Sequence, residues 1–287
     1  VWEKELTITS YGVDPVTLSR GENFHTNTDP ARQRYNPAMI EVGGETEQGT
    51  VSSLILTHII LDDMGKYEGE YFVQADSEGD GETTVSRSEV PNTSIVQDAI
   101  IATYNGMGTI TLGDGAELRN YGGMSAVRLS GGELVMEEGS AILDTTENER
   151  EKGASGSFGP AGAVWLQGGI LTMNGGTIGG DKGAMMNGRA LYADGGTANI
   201  GGTIQNIHGT DAAWQGQNGV AVHLRSHGEA TLASTGEITN VTGTNAGNNC
   251  AIWTQFCNFT TKAGSKISHV DGFQLLYFDD LDNNNYS

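Results

Sequence analysis

The chain has 287 residues, of which 43 are glycine and only 5 proline; 37 % are hydrophobic, 18 % charged, and the formal net charge is −21. Collagen is excluded, because it needs glycine at every third position with abundant proline, and so is simple disorder, because short apolar runs such as 54–56 and 59–61 recur. No stretch approaches the roughly 18–20 apolar residues that span a bilayer, and a field of this sign repels phosphate backbones, so neither membrane insertion nor nucleic-acid binding is expected. Acidity with little lysine suits a protein that stays soluble outside a cell. Two cysteines, Cys250 and Cys257, are too few for a disulfide scaffold. The sequence starts at Val1 without a signal segment, which reads as a processed piece of a longer protein.

In chain order, residues 1–37, with Trp2, Tyr11, Phe24 and Tyr35, read as an N-terminal cap or first coils. AMIEVGG from Ala38 has the form of a strand and its corner, 53–62 that of two further strands, and 65–92 that of a polar insertion. From Ala126 the chain repeats itself: AVRLSGGELVM, then AVWLQGGILTM from Ala163, then ALYADGGTANI from Ala190, with looser copies at Ala221 and Ala251. Units close at Leu118, Ile142, Ile178, Ile204, Ile238 and Ile267, at intervals of 24 to 36 residues. Fixed strands with a variable insertion at one place per unit are the mark of a solenoid. Each unit holds two period-2 apolar runs, such as Val164/Leu166 and Leu171/Met173, then a shorter third that ends at the isoleucine. Gly-Gly between the first two supplies the positive φ of a sharp corner. The expected fold is all-β: a right-handed parallel β-helix with three short strands per coil, forming one domain over 1–287. Its coils span 38–278 and a polar tail 279–287. Core columns follow from the alternation, one through Val127, Val164, Leu191, Val220 or Val222, and Ile252, another through Leu134, Leu171 and Ile200.

Units such as GGILTMNGGTIGG, with SSLILTHIILDD upstream, resemble the repeats of pectin-lyase-like surface proteins of bacteria. Such repeats are common in large cell-wall-anchored, adhesin-like proteins of anaerobic Gram-positive species, and the similarity covers roughly residues 38–278. It implies an extracellular, cell-surface location and further domains of a parent surface protein. It is weak for function, since this fold carries lyases, hydrolases, adhesins and antibody-binding proteins.

The same alternation that sends Val164 and Leu166 inward sends Trp165 outward. Equivalent outward positions are Arg128, Trp165, Tyr192, His223 and Trp253, with Glu41 in an early unit. At about 4.8 Å per rung, five rungs make a ladder about 19 Å long. The small Ala126, Ala163, Ala190, Ala221 and Ala251 beside it would leave a shallow groove. Insertions before these strands carry Phe158, Met185, Met186 and Trp214 near their tips. Aromatic faces stack on sugars or anchor protein interfaces, so the expected ligand-binding residues are the five ladder positions with Trp214, Phe158 and Met185. Two plainer readings stand beside this one: packing beneath the molecule's own loops, and self-stacking worth ~0.2–1 kcal/mol per pair.

Catalytic and metal signatures are poor, and no catalytic residue, metal site or cofactor is expected. Lyases of the resembled kind need clustered carboxylates with an Arg or Lys base, but Asp62-Asp63 and Asp279-Asp280 fall at opposite ends. Asn27-Thr28-Asp29 and Ser226-His227-Gly228 match fragments of a hydrolase signature whose Arg-Ile-Lys is missing. Asp76 opens a loop like an EF-hand, but its twelfth position is Arg87 instead of the bidentate Glu. The expected function is a non-catalytic surface module, an adhesin that binds a host or dietary ligand, either a protein (mucosal glycoprotein or immunoglobulin) or a glycan. An enzyme alternative would use Asp211, Asp181 or Glu151 with His223 as base, and a structural stalk is the third reading.

Overall fold

The computed structural model describes residues 4–12, 14–19, 38–43, 52–63, 70–74, 85–89, 99–104, 108–121, 125–144, 162–181, 184–209, 219–243 and 250–279. The first coil is β1 (Glu5–Thr9), β2 (Val16–Ser19) and β3 (Ala38–Gly43); the second is β4 (Ser53–Thr57), β5 (Ile59–Asp62), the hairpin β6 (Glu70–Gln74) and β7 (Val85–Glu89), then β8 (Ala99–Tyr104). The third is β9 (Thr109–Leu112), β10 (Glu117–Arg119) and β11 (Ser125–Leu129), and the fourth β12 (Glu133–Met136), β13 (Ala141–Asp144) and β14 (Val164–Leu166). The fifth holds β15 (Ile170–Met173), β16 (Thr177–Gly180), β17 (Met186–Asn187) and β18 (Leu191–Asp194). The sixth is β19 (Thr197–Ile200), β20 (Thr203–His208) and β21 (Gly219–Arg225), and the seventh β22 (Glu229–Leu232), β23 (Glu237–Thr242) and β24 (Cys250–Gln255). The eighth is β25 (Asn258–Thr261), β26 (Lys266–Asp271) and β27 (Gln274–Asp279).

These strands stack into three sheets, one strand per coil in each: the first from β1 to β25, the second from β2 to β26, the third from β3 to β27. Within the three sheets every pairing is parallel, and only the β6–β7 hairpin is antiparallel. The molecule is a right-handed parallel β-helix with three strands per coil. The insertion read at 65–92 thus contains a two-stranded sheet, while the EF-hand-like loop at Asp76 lies outside the described residues.

Stacking is in register, so like residues form columns through the core. The isoleucines that close each unit line up as Leu61–Leu118–Ile142–Ile178–Ile204–Ile238. Ile101–Val127–Val164–Leu191–Val222–Ile252 make a second column. All of these are buried, and each contributes roughly 1.5–3 kcal/mol. One column differs from expectation. Leu134 and Leu171 continue into Ala198 and Ala230, whereas Ile200 stacks on Met173 and Leu232. Two residues of strand separate the two columns, and alternation within a single unit does not say which neighbour each one meets.

Two corners set the cross-section. At the Gly-Gly corner, Gly131/Gly132, Gly168/Gly169 and Gly195/Gly196 all have positive φ. A Cβ on Gly132 would lie 2.3 Å from the carbonyl oxygen of Gly108, so the close stacking itself demands glycine. The sixth coil breaks this pattern: Ser226 and His227 adopt φ of 51° and 64° there. The second corner is a bend inside the second sheet. Asn120, Asn206, Asn240 and His269, each two residues beyond the closing Leu or Ile, take φ between 51° and 54°. Asparagine tolerates this conformation better than other side-chain-bearing residues. The amide of Asn240 donates to Asn206 Oδ1 at 2.7 Å, and that of Asn206 donates to the Gly180 carbonyl at 3.1 Å. Beyond the bend the strand turns inward again and buries Ile207 and Val241. The third run is therefore longer than the sequence suggests.

Candidate functional site

The third sheet carries the outward column. Its Cα register runs Glu41–Ala102–Arg128–Trp165–Tyr192–His223–Trp253–Tyr277. Seven steps of about 4.8 Å give it a length of about 34 Å. The five expected positions are consecutive in it. Two further members escaped the sequence reading. Ala102 stands between Glu41 and Arg128 on a strand that lacks the Gly-Gly signature, and Tyr277 follows Trp253 on the last strand.

The expected exposure of the column is corrected. Arg128 is 5 %, Trp165 7 %, His223 3 % and Trp253 1 % exposed, and of the five only Tyr192 is half-buried. The five alanines expected to open a groove are fully buried, within the core cluster. Met185 sits against the Asn240 amide at the bend of the second sheet (3.8 Å to its sulfur), away from the ladder. Its neighbour Met186 is buried in the core and accepts a hydrogen bond from the Tyr121 hydroxyl at 3.7 Å. Phe158 and Trp214 lie outside the described residues. Alternation assigns a side chain to one face of a sheet and is silent on what lies over that face.

Within the column the rings touch in sequence. Trp165 and Tyr192 have centroids 6.4 Å apart, Tyr192 and His223 meet edge-on at 5.0 Å, and His223 and Trp253 lie 4.1 Å apart at 54°. Such pairs are worth about 0.5–1.5 kcal/mol beyond their burial. Arg189, in the link before β18, sets its guanidinium carbon 5.1 Å from the Tyr192 ring centroid. Arg225, two residues beyond His223 and so on the same face, donates to the Tyr192 hydroxyl at 3.3 Å and to Gln255 Oε1 at 3.2 Å. Ser226 donates to Asp194 beside it. Arg225 was legible as the second outward residue of its strand; Arg189 carries no periodic signal at all.

The tryptophans of the column each leave a polar atom unmatched among the described residues. The indole N–H groups of Trp165 and Trp253 are buried and have no acceptor among the described residues. A buried donor left unbonded costs about 1–3 kcal/mol. Ordinary interiors keep such groups few.

Electrostatics follow from the burial. Burial, with the nearby Arg189 and Arg225 charges, holds the His223 imidazole well below its usual pKa, so it is neutral at pH 7. Burial brings the Arg189 guanidinium down to about 10, with Arg225 adding to the effect, and it stays charged. Cys250 and Cys257 are free thiols, and burial raises both, Cys250 to about 12. Of the carboxylates an enzyme would need, Asp181 acts on Arg119 of the second sheet, and Asp211 and Glu151 lie outside the described residues. Among the described residues no group of three or more His, Cys, Asp or Glu side chains could hold a metal ion. No helix there is long and apolar enough to cross a membrane.

No known family model matches the chain, and comparison with curated proteins and with solved structures gives no significant match.

Proposed function

We propose that this β-helix is a non-catalytic binding module whose ligand is received on the third sheet, at and around Tyr192. The observation that carries the reading is the pair of buried indole donors on either side of the half-open Tyr192, Trp165 and Trp253, which have no acceptor among the described residues. An interior packed for stability alone has no use for two unbonded donors on one face. A ligand that brings acceptor oxygens to them recovers that cost on binding. The repeat resemblance supports reading the module as extracellular, part of a bacterial surface protein of the pectin-lyase-like, adhesin-like kind, for which a host glycoprotein, an immunoglobulin or a glycan is the proposed class of ligand.

The test is a glycan array together with a pull-down from mucosal secretions, using the wild-type chain and the Trp165→Phe/Trp253→Phe variant. Phenylalanine keeps most of the packing and removes only the donors. Binding lost in that variant supports the reading, and unchanged affinity sinks it. The stalk reading is favoured by one observation, the near-complete burial of four of the five ladder residues. If the wild-type chain captures nothing from either source, the stalk is the better description.

A further inference from the structure

On the reading that the third sheet receives a ligand, we infer that the group it takes at Tyr192 is a carboxylate on a terminal sugar, entering end-on. The argument starts from charge. The chain carries only 15 Lys and Arg against 36 Asp and Glu, yet two guanidinium groups converge on this one phenol. Arg189 lies over its ring and Arg225 bonds its hydroxyl. Arginine presents its donors in a planar fork that matches a carboxylate. His223 meets the same ring edge-on, 5.0 Å away, and is neutral. The protein has thus gathered positive charge and donors at one point of a strongly negative molecule. Asp194, whose charge acts on Arg225, accepts a hydrogen bond from Ser226.

The shape of the opening selects the mode of entry. The neighbours of Tyr192 along the column, Trp165 and His223, are 7 % and 3 % exposed, so the opening is one rung deep. A polymer lying along the ladder needs several open rungs. A single terminal residue needs one. From Tyr192 the open surface runs sideways to Arg225, Ser226 and Gln255, at the corner of the coil, which is where the remainder of a glycan would leave.

The experiment uses the 287-residue chain on an array of paired glycans, each neutral core printed with and without a terminal sialic or uronic acid, plus linear oligogalacturonates of increasing length. The expected result is binding of the acid-terminated member of a pair at least tenfold tighter than its neutral core, about 1.4 kcal/mol. That advantage weakens as salt rises. Arg225→Gln, at an exposed position that does not threaten the fold, erases it, and Arg225→Lys restores part of it. Equal binding of both members, or no effect of Arg225→Gln, overturns the carboxylate. Affinity that climbs with the length of the oligogalacturonate overturns end-on entry. If neutral glycans bind and Trp165→Phe/Trp253→Phe abolishes that binding, the module stands and only this inference falls. If nothing binds, both fall.

Discussion

Replacing Trp253 in two ways separates packing from hydrogen bonding. The indole is 1 % exposed and stacks on His223 at 4.1 Å. Trp253→Ala empties that volume and should cost about 3–5 kcal/mol. Trp253→Phe deletes the nitrogen and two ring carbons. At ~0.8 kcal/mol per buried carbon the lost contacts cost about 1.6 kcal/mol, and removal of the unbonded donor returns about 1–3 kcal/mol. The two terms offset, so the Phe variant should lie within about 1 kcal/mol of wild type while the Ala variant lies far below it. Urea denaturation followed by circular dichroism reads both as midpoint shifts at unchanged slope. If Phe costs nearly as much as Ala, the N–H is bonded in the folded protein, and the support it lends to a binding site disappears.

Three further outcomes are expected. His227 holds φ of 64° at a corner where earlier coils use glycine; His227→Gly should raise stability by about 0.5–1 kcal/mol, read from the urea midpoint, as the left-handed strain of about 1–2 kcal/mol is relieved against glycine's larger entropy loss, and a fall would show that the imidazole makes a contact worth more than the strain. Asn206→Ala should cost about 2–4 kcal/mol, from the left-handed backbone and two lost side-chain hydrogen bonds, with Asn206→Gly costing clearly less; equal losses would refute the conformational part. His223 stays neutral when folded and titrates near its usual value of about 6.5 when unfolded. The unfolded chain therefore gains a proton below that pH and the folded chain does not, so His223 should subtract stability as pH falls, by up to about 1.4 kcal/mol per unit. Comparing wild type with His223→Phe between pH 8 and pH 5 checks this; parallel curves would refute it.

Much of the architecture was written in the local pattern. Gly-Gly with period-2 apolar runs defines strand, corner and strand, and the closing Leu or Ile recurs once per coil because a parallel stack in register repeats its inward position on every rung. That is why Leu118 to Ile267 and Arg128 to Trp253 align on spacing alone. The asparagine bend was less visible: Asn206 and Asn240 sit two residues past the isoleucine, but their left-handed conformation shows itself only as a stacked hydrogen bond between coils. Ala102 was hidden because its strand lacks the glycine pair.

Fold class and the sharing of faces among side chains were legible in the chain, because both depend on periodicity and on the conformations glycine alone tolerates. Only the folded chain reveals that the five ladder positions are closed except at Tyr192, that Met185 lies by the second sheet and not by the ladder, and that Arg189 and Arg225 meet at one phenol. Burial depends on what other parts of the chain lay over a sheet, and convergence of charge depends on residues from different coils, neither of which is encoded in the spacing of any one strand.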